Sequence, residues 1–472
     1  MSPFSQLREW VTGEDMKLQV NVARELRAIR PIVCDETVLR VAGSRLLSAS
    51  AAKRTLALQP VFALVFGLSS NEASVSDSDN SDSLLGHWDA HLALCLLLMA
   101  EHSATIVQSN SETIDTANNN KYTNQYAPYI HSLPVKFANP LCLPTAALTR
   151  LAGSLVDGII ADEAKQLRLV LEHVLIPANV AFPGILLPLS ESEVDSTDDV
   201  SDKLWYRFLW AHAAIASRAF SFKLDSEHSE VFMVPFLDIA NHSNDPNLVV
   251  KGVDPLSKSL VVKARRDIAE NELLTIAYHD NAPNYFLLSH YGFALDDNPD
   301  ETVNVSFDDG NDVDSDSNAL ALKIRKDALL ASCALSLNLG RDHEFGPYID
   351  FNSKINGIDK PKQTHESAGI SNSMIQSLRI LAANEQDLSN LNESNVSSLI
   401  IEPLSQENED NVFQMIELMA KTLLDMYPTT LQDDLARQAQ PDEGGDEKYI
   451  LVYLIGQKRI LASVIDWCQQ RK

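Results

Sequence analysis

Cysteine is scarce and scattered. Cys34, Cys95, Cys142, Cys333 and Cys468 are odd in number, and no two stand at zinc-ligand or redox-motif spacing. That pattern excludes a structural metal site and implies reduced, mostly buried thiols in a reducing compartment. Long apolar runs are also missing. The longest, Leu92–Ala100, falls far short of the roughly 20 residues a membrane-crossing helix needs. The N-terminus has no apolar stretch of the secretory type and no Ser/Arg-rich character of a chloroplast transit peptide. A soluble, intracellular protein of the cytoplasm, the nucleus or both is expected, without a membrane partner. Basic charge is short as well: 38 Lys and Arg stand against 65 Asp and Glu, a net charge of −27. Binding phosphate backbones needs clustered cations, so free nucleic acid is a poor partner. A basic protein or peptide tail would be attracted instead, although most of the acidic residues serve solubility.

What is present is ample apolar material. With 472 residues and 45% hydrophobic content, two or three domains are expected. Ser/Asp/Asn-rich stretches at Ser69–Ser83, Gln108–Asn120, Ser190–Asp202, Asp308–Asn318 and Gln440–Asp446 cannot build a core and read as surface insertions in loops. Between them, strand patterns occur at Leu18–Val22, Glu36–Val41, Val231–Val234, Asn247–Lys251, Ser259–Ala264 and Glu272–Tyr278. Asp254-Pro255-Leu256-Ser257 joins two of these as a hairpin. Helical spacing marks Trp88–Val107, Thr145–Val174 and Leu204–Ser217. After about Asn318 strand signals vanish, and Met374–Leu391, Asn411–Tyr427 and Lys448–Gln470 read as amphipathic helices. The second of them carries Val412, Ile416, Met419 and Leu423 on one stripe. No internal repeat of fixed period is visible. The fold class is therefore α+β, a strand-rich part interrupted by helices and followed by an all-α part.

Two dense polar clusters interrupt the apolar pattern between Val231 and Val305. One is Asp238-Ile-Ala-Asn241-His242-Ser-Asn244-Asp-Pro246-Asn247. The other runs from Thr275-Ile276-Ala277-Tyr278 through His279 and Asn284 to Tyr291-Gly292-Phe293. Singly, each has a structural reading: Asn and Asp before Pro initiate turns, and a Tyr ending a strand is commonly a core residue.

In this order the clusters resemble the core of the SET-domain methyltransferases, and in particular the branch of the Rubisco large-subunit lysine methyltransferase. Upstream, Pro128-Tyr129-Ile130, Leu133-Pro134 and Ser217-Arg218-Ala219-Phe220 resemble that branch's helical insert. Downstream, Pro403-Leu404-Ser405, Asn408-Glu409, Tyr427-Pro428-Thr429-Thr430 with Asp434, and Gln457-Lys458-Arg459-Ile460-Leu461 resemble its substrate-binding domain. Many short motifs in one order are a far stronger signal than any one of them. The resemblance implies a SET domain in two halves, 1–68 and 218–310, split by a helical insert at 69–217 and followed by a helical substrate-binding domain at 319–472.

It further implies a protein-lysine N-methyltransferase that uses S-adenosyl-L-methionine (SAM); the acidic charge suits a basic protein substrate, such as a ribosomal protein, and a monomer is expected. By the same resemblance, Arg218, Asn241, His242 and Tyr278 bind the cofactor, and Tyr278 is catalytic. Phe220, Asp238 and Tyr291 shape the lysine pocket, and no metal is required. Positioning dominates such a reaction, since the protein need supply little covalent chemistry.

The family's opening strand carries a Gly-x-Gly-Leu pattern, and here Ala23-Arg24-Glu25-Leu26 stands in its place. Glycine permits close approach of a ligand to the backbone. Its loss favours an alternative, a catalytically impaired SET-like adaptor; a protein-histidine methyltransferase is another. A purely structural helical protein leaves the ordered motifs unexplained.

Overall fold

The computed structural model describes residues 3–11, 16–21, 23–53, 92–93, 95–97, 100, 126–183, 186–187, 197–223, 229–254, 257–305, 317–333, 344–345, 370–440 and 447–471. The expected insertions at 69–83 and 108–120 lie outside these residues. Of the helix expected at 88–107 only 92–93, 95–97 and 100 are described, and they are helical. The chain forms two compact units, Met1–Cys142 with Ile160–Asn281, and Leu143–Ile159 with Ala282–Lys472.

Segments distant in sequence build the first unit. β1 (Leu18–Val20) and β2 (Leu26–Ala28) form an antiparallel hairpin, with Leu18 opposite Ala28. β3 (Thr37–Val41) lies against β9 (Leu260–Ala264), which pairs in turn with β8 (Leu248–Val253). Alternation explains the arrangement: Leu260, Val262 and Ala264 of β9 are buried while Val261 and Lys263 are half-exposed. β8 and β9 are antiparallel neighbours, as the hairpin expected at 254–257 requires; residues 255–256 lie outside the described residues, and at its ends the Ser257 N–H donates to the Asp254 carboxylate at 2.7 Å.

A second sheet runs β4 (Leu47–Ser48), β6 (Ser229–Met233), β5 (Ala219–Lys223). β7 (Asn241–His242) and β10 (Thr275–Ile276) form a short parallel pair. The strand expected over Glu272–Tyr278 shortens to two residues. The stretch before them bonds residue by residue to β2 and its flank, the Leu274 N–H reaching the Leu26 carbonyl at 2.8 Å.

Two helices in this unit place functional side chains, and a third braces the N-terminus. α1 (Pro3–Val11) buries Leu7 and Val11, one turn apart. α2 (Ala127–Ile130) is a single turn that buries Tyr129 and Ile130. α3 (Thr197–Arg218) is 22 residues long and buries Leu204, Phe208, Ala211 and Ile215 at helical spacing. It begins inside the stretch expected to be a loop at Ser190–Asp202. Residues 197–202 continue the helix whose buried stripe starts at Leu204, so helix propagation from the apolar segment overrides their local polarity.

The second unit is mainly helical. α4 (Asn284–Tyr291) ends at Gly292, whose φ of 77° is the left-handed cap that glycine adopts without strain. α5 (Ser317–Ser332), α6 (Asn372–Ala382), α7 (Gln406–Asp425), α8 (Leu431–Gln438) and α9 (Glu447–Gln469) follow. Val412, Ile416 and Ala420 of α7 pack with Ile460, Leu461 and Val464 of α9 and with Met374 and Leu378 of α6. Met419 and Leu423, expected on the same stripe, are partly buried at its edge. Within the part expected to be all-α, one strand occurs among the described residues: β12 (Glu344–Phe345) pairs with β11 (Val303–Asn304), in a two-residue match too short to give a sequence pattern. Buried Arg379 pairs with both carboxylate oxygens of Glu409 at 2.7 Å and also donates to the Ile400 and Ile401 carbonyls, so its charge is fully matched.

Candidate active site

α3 ends at Arg218 and β5 begins at the next residue, so the guanidinium leaves the helix at its C-terminal end, where the helix dipole favours a cation. Its Nη1 donates to the carbonyl of Asp238 at 2.6 Å and lies 3.4 Å from the Asp238 carboxylate. Asp238 sits in a 3-10 turn at Leu237–Ile239, entered through Phe236 with a φ of +69°. A left-handed backbone at a bulky residue costs on the order of 1–3 kcal/mol, and the burial of Phe236 offsets it.

From α2, the Tyr129 hydroxyl donates to Asp238 Oδ2 at 2.9 Å. Burial pushes the Asp238 carboxyl above its ordinary range, against the pull of Arg218 and the Tyr129 hydrogen bond. Burial first, and then the neighbouring carboxylate, raises the Tyr129 phenol well above its ordinary value. Two buried atoms of this cluster have no hydrogen-bond partner, Arg218 Nε and Asp238 Oδ1. Asp238, expected to shape a substrate pocket, is thus the buried partner of Arg218 and Tyr129.

The β7–β10 pair brings the Asn-His and Tyr motifs together. Asn241 lies opposite Thr275 and His242 opposite Ile276, which places Tyr278 beside the imidazole. The Tyr278 N–H donates to His242 Nδ1 at 3.2 Å, and the two rings lie 5.3 Å apart. A backbone amide can only donate, so Nδ1 is the bare nitrogen. Nε2 then carries the proton, which it donates to Asn244 Oδ1 at 2.8 Å. The Tyr278 hydroxyl donates to the Ala240 carbonyl at 2.9 Å. Ala240 is two residues past Asp238, so both groups of side chains hang on the stretch Asp238–His242. Asn241 itself is exposed. Asn247 staples the two clusters: its amide donates to the Leu273 carbonyl at 2.7 Å and accepts from the Thr275 N–H at 2.9 Å.

The turn between β1 and β2 carries the departures from Gly-x-Gly-Leu. The Glu25 carboxylate is held by Asn21 at 2.7 Å and Arg27 at 2.8 Å, and the Arg27 hydrogen bond keeps its pKa below the usual range. Arg24 occupies the left-handed region with a φ of 59°. Its guanidinium donates to the Ser132 carbonyl and lies over the Phe4 ring, 5.0 Å from the centroid.

Phe220 is partly buried on β5, opposite Phe232 and stacked on Phe222 with centroids 6.0 Å apart. The first unit therefore holds Arg218, Phe220, Asp238, Asn241, His242 and Tyr278. Tyr291 belongs to the second unit, as the last residue of α4; its ring meets Phe286 at 6.1 Å and Phe293 at 6.2 Å. Burial pushes its phenol up to about 12. Tyr129 and Asn247 stood in quoted motifs without an assigned contact. Their partners lie 109 and up to 28 residues away, beyond any local signal.

The family model of the SET domain matches residues 23–279, more than half of the chain. The chain belongs to the SET-domain family. A second family model, the Rubisco LSMT substrate-binding domain, matches residues 324–461, within the helical unit. Among solved structures, the SET domain of LSMT bound to lysine and AdoHcy is similar at 15% identity and a TM-score of 0.65, covering 100% of this chain and 92% of that one. Rubisco LSMT bound to AdoMet is similar at 16% identity and a TM-score of 0.60, covering 100% and 91%. At that identity the likeness is one of fold, and it agrees with the α+β architecture of this SET-domain chain. A search of curated protein sequences finds no match. No helix among the described residues is long and apolar enough to cross a membrane.

Proposed function

We propose that this SET-domain chain is a SAM-dependent methyltransferase that acts on a lysine side chain of a protein. The observation that carries the reading is the Arg218 cluster. A guanidinium is held by Asp238, yet its buried Nε has no acceptor among the described residues. An amino-acid carboxylate fits that donor, since the planar guanidinium fork suits carboxylate geometry. Arg218 would hold the carboxylate end of the cofactor, and Asn241 and His242 would meet it with backbone and amide groups. Bound there, SAM supplies an electrophilic methyl group carried on a sulfonium.

The remaining work falls to the chain's own residues. Tyr278 spends its hydroxyl proton on the Ala240 carbonyl, so its oxygen offers only lone pairs to a third group. That suits an incoming amine N–H and makes Tyr278 a positioning group at the transfer point rather than an acid. Phe220 supplies an aromatic wall. A free lysine has a pKa of about 10.4, and it must arrive neutral to attack. A dry aromatic channel and a neighbouring positive charge both disfavour the ammonium, so the lysine gives its proton to solvent water as it enters and no dedicated base is needed.

In this reading residues 1–68 and 218–310, Tyr291 included, are the two halves of the catalytic domain, 69–217 the insert, and 319–472 the part that receives the protein substrate. The net charge of −27 favours a basic substrate. The test is calorimetric titration of the full chain with S-adenosylhomocysteine. The wild type gives a binding isotherm, and Asn241→Ala or His242→Ala abolishes it. A wild-type chain that gives no heat overturns the reading and favours a protein-binding adaptor.

A further inference from the structure

Arg24 stands where the family pattern has the residue between two glycines, and its left-handed φ of 59° costs a non-glycine residue about 1–2 kcal/mol. What holds the turn is the far end of the side chain. Its Nη2 donates to the Ser132 carbonyl, and the guanidinium covers the Phe4 ring. Ser132 donates through its hydroxyl to the Tyr129 carbonyl at 2.6 Å. The Tyr129 hydroxyl donates to Asp238, which accepts from Arg218.

Arg24 is therefore tied to the same segment, 129–132, that anchors the Arg218–Asp238 pair. It lies near enough for those charges to act on it: burial lowers its pKa, Arg218 lowers it further, and Asp238 opposes. Of the two guanidinium groups only that of Arg218 touches the Asp238 carboxylate, so the positive charge of Arg24 is not paired by it. Arg218 Nε is buried without a partner. Among the described residues, Arg24 Nε and Nη1 have no acceptor. Arg218 thus holds a buried donor, and Arg24 exposed donors, that an anion could take.

We propose that Arg24 is a second carboxylate-binding residue of the cofactor site, closing with Arg218 on the amino-acid end of SAM. The proposal rests on the reading that the site takes SAM. It also accounts for the missing glycines: a ligand held by two side chains depends less on the close backbone approach that glycine permits.

The test compares the affinity of the full chain for S-adenosylhomocysteine and for its decarboxylated analogue, S-adenosyl-3-thiopropylamine, by calorimetry. Arg24→Ala weakens the first about tenfold, as expected for the loss of one partly exposed charge-assisted contact, and leaves the second unchanged. Arg24→Gly gives the same split while relieving the left-handed backbone, which separates binding from folding; Arg24→Lys retains most of the affinity. Equal weakening of both compounds, or unchanged or tighter binding of S-adenosylhomocysteine, overturns the role. A wild type that binds neither compound instead takes down the cofactor reading, and this proposal with it.

Discussion

The hydroxyl of Tyr129 reaches the carboxylate of Asp238 across 109 residues of sequence, at 2.9 Å, and both residues are buried. One hydrogen bond thereby connects a single-turn helix of the insert with the turn that holds Arg218. Tyr129→Phe removes a donor from a buried acceptor and is expected to cost about 1–3 kcal/mol. It should lower the urea midpoint with little change in the slope of the transition. Asp238→Ala should cost more, on the order of 3–5 kcal/mol, because it strands a largely buried guanidinium. Equal midpoints for Tyr129→Phe and wild type would show that water replaces the phenol without loss.

Tyr278 tests the chemistry rather than the fold. Its hydroxyl donates to the Ala240 carbonyl, and its backbone N–H orients His242 whatever the side chain. Tyr278→Phe should therefore keep the fold and S-adenosylhomocysteine binding while lowering methyl transfer by about 10- to 1000-fold, the range seen when one positioned polar group is removed from a reacting centre. Unchanged single-turnover transfer in this variant would remove Tyr278 from the mechanism.

Much of the fold was legible because period-2 alternation is a local signal. β3, β8 and β9 follow from it, and so does the hairpin at 254–257. The order of Arg218, Asn241-His242 and Tyr278 was also legible, and β7–β10 pairing explains why those motifs lie at that separation. What was not legible depends on tertiary contact. β5 begins at the residue after Arg218 and gave no strand signal, since Phe220 and Phe222 alternate over too short a stretch. Tyr129 carries no local mark of the carboxylate it serves. Arg24 read only as a lost glycine, because the sequence cannot show that its side chain reaches Ser132.

The substrate's charge can be tested without knowing its name. If a net charge of −27 steers a basic protein toward the chain, the methylation rate at limiting substrate should fall as salt rises. The screening length shrinks from about 10 Å at 0.1 M to about 3 Å at 1 M. The rate at saturating substrate should change much less, since steering acts on encounter and not on the bound complex. Identical salt responses at limiting and saturating substrate would count against a charge-selected partner.

Glu301 makes the stability of the second unit depend on pH. It is buried, its Oε1 accepting from Gln457 Nε2 at 2.6 Å and its Oε2 from the Asn284 N–H at 3.2 Å. Burial raises its pKa from 4.5 to about 8, against the pull of the Gln457 hydrogen bond. The folded chain therefore keeps a proton that the unfolded chain releases above about 4.5. The stabilisation is fully present below that pH and is lost progressively as pH rises to about 8. The Tyr427 and Tyr453 phenols are raised chiefly by their own burial; the Glu301 charge adds to both, so ionising the carboxyl leaves it unmatched among them. Wild-type stability should fall across this window. Glu301→Gln, which has no proton to lose, should remove that part of the slope and narrow the gap between mildly acidic and mildly alkaline midpoints. Urea unfolding of the two proteins across the window decides the matter, and parallel slopes would mean that Glu301 ionises in the folded chain as readily as in the unfolded one.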